Sequence, residues 1–369
     1  MTSPDITSVQ AVLNSSKLDA IAFVPGANFR RIMGTDFHLM ERPLVIIVPA
    51  AGEAVAIVPN LEMEGFVTTG FAGKIFDWRD EDGYSDAFRD AAQALPQLNG
   101  SNRFGLEAQR MRAFEHMALA TVFPDTRFVD AHSDLSSIRL HKTDRDIALL
   151  KEAIRISETA LEATLENVKP GQTELEIKGM LMSNLFANGA EGLAFDPIVA
   201  AAGNSAQPHA ESRPGYKLQR GDALLIDFGG SFQGFHADIT RTFFMGEVSD
   251  YNRRFYETVL AANEKGRSVS KAGVSAHAVD DAVQIVLEQS EFSGYRVHKT
   301  GHGLGLDVHE APQIMRGNHQ ELEAGMVFTI EPGLYRSGEA GVRIEDDVLV
   351  TANGIECLTS FPRDLRIIG

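Results

Sequence analysis

Four acidic residues stand where an acidic residue is most costly, at the ends of or within apolar runs that read as buried strands. Asp227 closes Leu224-Leu225-Ile226, and Asp238 opens Ile239-Thr240-Arg241-Thr242-Phe243-Phe244 eleven residues later. Glu331 closes Met326-Val327-Phe328-Thr329-Ile330 ahead of Pro332-Gly333, and Glu345 lies within Gly341-Val342-Arg343-Ile344-Glu345-Asp346-Asp347. A carboxylate taken out of water is strongly disfavoured unless it is hydrogen-bonded, paired or bound to a cation. A fold that buries all four must supply a common partner. Singly, an acid at a strand end is more often a cap, a turn residue or half of an ion pair. The joint pattern is what asks for one explanation.

The segment between the first two acids, Gly229-Gly230-Ser231-Phe232-Gln233-Gly234, has the composition of a hairpin turn. Folding back there brings Asp227 beside Asp238, and two carboxylates that close share a proton or a metal. Strand alternation turns Val342 and Ile344 to one face and Arg343, Glu345 and Asp347 to the other. Six of the eleven histidines fall between residues 209 and 309, three of them in the Gly-punctuated run from His298 to Glu310. Carboxylates with an imidazole suit Mn²⁺, Co²⁺, Fe²⁺ or Zn²⁺, and a bridging carboxylate holds two ions. Two ions about 3.5–4 Å apart are the usual arrangement for hydrolysis by an activated water.

Composition narrows the partners. A length of 369 residues gives a prior of about two domains at roughly 150 residues each. With 44% hydrophobic and 23% charged residues the chain is not a disordered one. A net charge of −17 repels phosphate backbones and anionic lipid, so neither nucleic acid nor a membrane is an expected partner. Cys357 is the only cysteine, which excludes an intrachain disulfide and a thiolate zinc site. The opening MTSPDITSVQ lacks the basic and apolar regions of a signal peptide, and no apolar run approaches the ~20 residues of a membrane span. The expected location is the cytoplasm.

Residues 1–135 mix short strands (20–25, a hairpin of 44–48 with 54–58, and 128–131) with helical stretches, which suggests a small α/β domain. Its His38, His116 and His132 are scattered and form no constellation. A boundary falls near residues 134–142. Over 140–369, helices are expected at 144–167 behind Thr143, from the capping box Thr173-Glu174-Leu175-Glu176 to Asn188-Gly189, at 251–264 and at Ala276–Glu288. Extended segments are expected at 224–228, 240–245, 326–331 and 341–351.

Six motifs in order carry a resemblance: Asp227-Phe-Gly, His236-Ala-Asp238-Ile-Thr-Arg-Thr-Phe, Thr300-Gly-His302-Gly-Leu-Gly, His309-Glu-Ala-Pro, Ile330-Glu331-Pro-Gly and Val342-Arg-Ile-Glu345-Asp. Together they closely resemble the pita-bread metallopeptidases, most of all the Xaa-Pro branch of aminopeptidase P and prolidase. Gly203-Asn-Ser-Ala-Gln-Pro-His209 is similar to that branch's first active-site histidine segment. Gly26-Ala-Asn-Phe29 and Glu41-Arg-Pro43 are similar to the creatinase/prolidase N-terminal domain. The resemblance implies that α/β domain over 1–135, followed over 140–369 by an α+β pita-bread domain, a curved antiparallel sheet backed by two pairs of helices.

The resemblance also implies the site. Asp227 would chelate one of two divalent ions, with manganese first and cobalt, zinc or iron as alternatives. Asp238 and Glu345 would bridge both ions, and His302 and Glu331 would bind the second. Hydroxide held between the ions would attack the Xaa-Pro carbonyl, with Glu331 as proton shuttle. His209 and His309 would contact the substrate carbonyl and the developing oxyanion, His298 would line the substrate pocket, and Arg343 would buttress Glu345 or its neighbours. His236 packs beside Asp238 and His277 lies on a helix surface in this reading. The implied enzyme is an exopeptidase, Xaa-Pro aminopeptidase or dipeptidase, acting as a homodimer on proline-containing peptides. A different hydrolase or lyase of small molecules on the same dinuclear scaffold remains open. A non-catalytic binding member fits less well, having no need of five costly buried groups.

Overall fold

The computed structural model describes residues 4–369, which form two compact units meeting in sequence at Arg139 and Leu140. In the first unit six strands, β1 (Ala20–Phe23), β2 (Val45–Pro49), β3 (Val55–Pro59), β4 (Lys74–Trp78), β5 (Phe104–Leu106) and β6 (Phe128–Asp130), form one sheet in the order β4-β3-β2-β1-β5-β6. The β2–β3 hairpin is antiparallel, as expected, and β1 pairs parallel with β5. Strands β1 to β3 are buried on both faces, which is why they read as unbroken apolar runs. Ala20, Ala22, Val45 and Ile47 face one core, and Ile21, Phe23, Ile46 and Val48 face another.

The second unit has two larger assemblies, antiparallel except where its last strand pairs parallel with residues 244–245. Its strands are β7 (Gly192–Leu193), β8 (Ile198–Ala201), β9 (Ala223–Phe228), β10 (Gly230–Phe232), β11 (Phe235–His236), β12 (Ile239–Met245), β13 (Gly301–Gly303), β14 (Glu310–Ile314), β15 (Val327–Ile330), β16 (Gly333–Arg336), β17 (Ala340–Arg343), β18 (Asp346–Thr351), β19 (Gly354–Cys357) and β20 (Ile367–Ile368). One sheet runs β20-β12-β9-β8 and another β14-β13-β15-β18-β19, with small sheets β11-β10-β7 and β16-β17 beside them. Helices Asp144–Leu165 and Glu174–Ala187 form one pair, and Asp250–Val269 and Ala276–Glu288 another. The first pair packs its apolar face on β9 and β12 through Leu150, Leu161, Leu181, Ile226 and Phe243.

Three local departures from expectation have physical causes. The segment between Asp227 and Asp238 is a small hairpin of β10 with β11, turning at Gln233-Gly234, where both residues have positive φ. The third helix extends past the expected residue 264 to Val269, through Gly266. A Cβ there would lie 2.8 Å from Val283 and 2.9 Å from Ile330, so the glycine serves close packing against β15 rather than a helix stop. The expected strand 341–351 breaks at Ile344–Glu345, because β17 pairs with β16 while β18 pairs with β15.

Candidate metal centre

Each acidic side chain is placed by strand pairing. Asp227 is directly opposite Thr240 in the β9–β12 ladder, so the two share a face, and Asp238, two residues before Thr240, lies on that face as well. Ile330 is opposite Asp346 in the β15–β18 ladder, which puts Glu331 just past the end of one strand and Glu345 just ahead of the other. Strand β13 brings His302 in. A Cβ on Gly301 would lie 1.9 Å from the Thr329 carbonyl oxygen, and one on Gly303 2.0 Å from that of Ala311, so only glycine lets this strand sit so close to its neighbours.

The result is a dense set of acceptors. Ligand atoms of Asp227, Asp238 and Glu345 lie within 4.8 Å of one another, as do those of His302, Glu331 and Glu345, and those of Asp238, His302 and His309. His302 Nε2 stands 3.4 Å from Glu331 Oε1 and 3.6 Å from Asp238 Oδ2, beyond hydrogen-bond length. Its Nδ1 is 3.2 Å from the Gly303 carbonyl oxygen, which assigns the proton to Nδ1 and turns an Nε2 lone pair toward the carboxylates. Burial, with His309 adding to it, lowers the His302 pKa to about 3. Burial pushes Glu331 up to about 8. Burial, then the neighbouring carboxylates, hold Asp238 and Glu345 well above the usual range.

One guanidinium enters this set. Arg343 closes on Asp227 Oδ2 and donates to Thr240 Oγ1 at 3.0 Å and to the Tyr335 hydroxyl at 2.6 Å. Thr240 Oγ1 donates in turn to Glu345 Oε2 at 2.6 Å, so Arg343 reaches Asp227 directly and Glu345 through a threonine. Asp227 Oδ1 is buried with no hydrogen-bond partner. Four carboxylates, one of them with an orphaned oxygen, and a neutral imidazole lone pair face each other with one guanidinium among them. Divalent ions fit that deficit in charge and in donor chemistry.

The remaining predicted residues sit around this core. The exposed His309 ring lies edge-on to His302 at 4.2 Å between centroids. His209 is exposed on the segment following β8, near enough to His298 and His309 to disfavour their protonated forms. His298 has both ring nitrogens engaged, Nδ1 with the Lys299 carbonyl and Nε2 with the Tyr335 hydroxyl, each at 2.7 Å, and burial lowers its pKa to about 4. His277 is more than a helix-surface residue: Nδ1 accepts from the Gly317 amide at 2.8 Å and the ring meets His319. Thr240 and Tyr335 were not expected at the site, and Asp347, whose Oδ2 accepts from the Asp238 amide at 3.2 Å, had been given a face but no role. Parity in 341–347 already put Asp347 on the Glu345 face. No signal in the sequence marked Tyr335.

Two family matches divide the chain along the same lines. Residues 6–141 match the Creatinase/Prolidase N-terminal domain, and residues 148–352, more than half the chain, match Metallopeptidase family M24. The chain belongs to metallopeptidase family M24. It is 38% identical over 330 residues to the putative dipeptidase YkvY of Bacillus subtilis, covering 89% of this chain and 90% of that one. Among solved structures it superposes on a recombinant prolidase from Thermococcus sibiricus with a TM-score of 0.93 and 30% identity, over 98% of each chain. The Xaa-Pro dipeptidase from Bacillus anthracis gives 0.88 and 30%, over 98% of this chain and 99% of that one. The M24 metallopeptidase is thus built as expected, an α/β N-terminal domain followed by the pita-bread domain. Among the described residues no helix is long and apolar enough to cross a membrane.

Proposed function

We propose that this metallopeptidase hydrolyses the Xaa-Pro bond, with Xaa-Pro dipeptides as its preferred substrates. The observation that carries the hydrolytic reading is the convergence of four carboxylates and a neutral imidazole on a space with one guanidinium. The substrate class rests on the Xaa-Pro dipeptidase and prolidase names of the similar proteins. Asp227, Asp238 and Glu345 would hold one divalent ion, and Asp238, Glu345, His302 and Glu331 a second, with manganese proposed first. When bound, such ions supply hydroxide from water near neutral pH and polarise the scissile carbonyl.

The chain's own groups do the rest. Arg343 fixes Asp227 and, through Thr240, Glu345, so the donor oxygens are oriented before an ion arrives. Glu331 takes the proton of the attacking water and delivers it to the proline nitrogen as the bond breaks. His309 and His209, on the exposed side, donate to the substrate carbonyl and to the oxyanion of the tetrahedral intermediate, where an oriented donor is worth about 3–4 kcal/mol. His298 lines the pocket through its carbon edge, since both ring nitrogens are occupied. The lone cysteine and acidic surface fit a cytoplasmic enzyme, and we propose a homodimer.

The test is metal-depleted protein assayed with an Xaa-Pro dipeptide and an Xaa-Pro-Pro tripeptide, before and after Mn²⁺ or Co²⁺. Restored cleavage, faster on the dipeptide, supports the proposal, and His309→Ala should lose turnover while keeping its metal. Cleavage of neither peptide by the metal-loaded protein would favour a hydrolase or lyase of other small molecules on this scaffold.

A further inference from the structure

His209 is carried by the excursion of residues 202–212, and among the described residues no hydrogen bond holds its ring, so its position is set by the backbone beneath it. That backbone is gathered on one carboxylate. Glu174, only 1% exposed, accepts from the amides of Ala201 at 2.7 Å and Arg213 at 2.6 Å, the two roots of the excursion. It also accepts from Asn204 Nδ2 at 3.0 Å and from Arg213 Nε at 3.0 Å and Nη2 at 2.7 Å. Asn204 Nδ2 then spans the excursion to the Glu211 carbonyl at 2.9 Å, and Arg213 Nη2 returns to the Ala201 carbonyl at 2.9 Å.

Glu174 is not needed to start its own helix. Thr173 and Glu176 already form a complete capping box, which leaves the Glu174 side chain for the loop. The other side of the excursion is seated on the β16–β17 hairpin. The Gly341 amide donates to Ser205 Oγ at 2.8 Å, and Cβ atoms on Gly341 or Gly203 would fall 1.9 Å from Ser205 O or 2.6 Å from Gly338 O. Strand β17 ends in Arg343, the residue that orients Asp227. The segment bearing His209 is therefore held between a buried anion and the strand that supports the donor set.

We propose that Glu174 is a positioning residue for His209, acting on turnover only through that imidazole. The proposal rests on the substrate-contacting role given to His209 above. The test uses full-length, Mn²⁺-loaded protein with E174Q, H209A and the double variant, assayed on an Ala-Pro dipeptide. A glutamine keeps the shape but cannot accept all five donors. E174Q is expected to lower kcat/KM by about tenfold, and to change it less than twofold in the H209A background. Mn²⁺ affinity should stay within twofold. Equal losses in both backgrounds would overturn the proposal.

Amide hydrogen exchange gives a readout independent of substrate. Residues 201–213 should exchange at least tenfold faster in E174Q while residues 223–245 are unchanged, and unaltered exchange at 201–213 would also overturn the proposal. A wild-type protein inactive on Ala-Pro defeats the functional reading, while the exchange arm still decides whether Glu174 orders the loop. Should E174Q not fold, R213A, at a side chain 39% exposed, removes the same tie from the other partner and carries the same expectations.

Discussion

Glu345 and Asp346 are adjacent residues with opposite electrostatic fates. Asp346 is fully buried among donors: Arg241 Nη2 at 2.8 Å, Arg363 Nε at 2.6 Å and Asn263 Nδ2 at 3.0 Å. Burial would raise its pKa, but Arg241 and Arg363 outweigh burial and hold it below the usual carboxylate range. Glu345, on the other face, meets Asp227, Asp238 and Glu331, and its pKa is driven well up by burial, then by Glu331 and Asp227. Burial of charge is common to both faces and does not by itself mark a site. A carboxylate surrounded by guanidiniums is a structural joint. One surrounded by carboxylates is incomplete until cations arrive.

The largest effect that would break this contrast lies on the Glu345 face. Asp238→Ala should abolish both manganese uptake, read by metal analysis, and Xaa-Pro hydrolysis. An Asp238→Ala protein with wild-type activity would end the dinuclear interpretation. On the opposite face, Asp346→Asn should leave Arg241 and Arg363 without their buried counter-charge and lower stability by roughly 3–5 kcal/mol, measured by urea unfolding. A loss under 1 kcal/mol would mean that the Asp346 face is no joint at all.

A pH series sharpens the contrast further. In metal-free protein Glu331 titrates near 8 rather than at its ordinary 4.5, so the folded state holds a proton that the unfolded state releases. Stability from this group is present below pH 4.5 and falls as pH rises toward 8. Ions replace the proton, so the thermal shift produced by Mn²⁺ should be larger at pH 8 than at pH 6. A shift that shrinks over that interval would contradict the assignment.

The smallest effect belongs to the N-terminal unit. Glu107 is buried and accepts from Asn28 Nδ2 at 2.8 Å, and burial outweighs Asn28, Arg110 and the Val24 amide to raise its pKa to about 7. Its contribution should likewise fall between pH 4.5 and 7, by at most about 3 kcal/mol. Glu107→Gln should flatten the metal-free stability profile across that window, as followed by chemical denaturation. A profile equally steep in the variant would assign the slope to other groups.

Much of this architecture was legible in the chain. Thr143 and Thr173 announced their helices, and both form complete capping boxes with Asp146 and Glu176. The apolar strands ending in acids were visible because a carboxylate interrupts a buried run abruptly. The length of the helix through Gly266 was not legible, since a helical glycine is explained only by the strand pressed against it. Nor was the break at Ile344–Glu345, where the chain changes sheets within an unbroken extended pattern. Tyr335 escaped notice because its role arises from contacts with His298 and Arg343 alone.

The sequence by itself determined which side chains offer donor atoms, and alternation determined which of them share a face with Glu345. Only the tertiary structure decided which acids received cations of the protein's own. Arg241 reaches Asp346 across 105 positions and Arg343 reaches Asp227 across 116, while Asp238 and Glu345 receive mainly other carboxylates. The reason is that Coulomb energy depends on distance through space and on exclusion of water. Neither quantity exists until distant strands have closed around the same point.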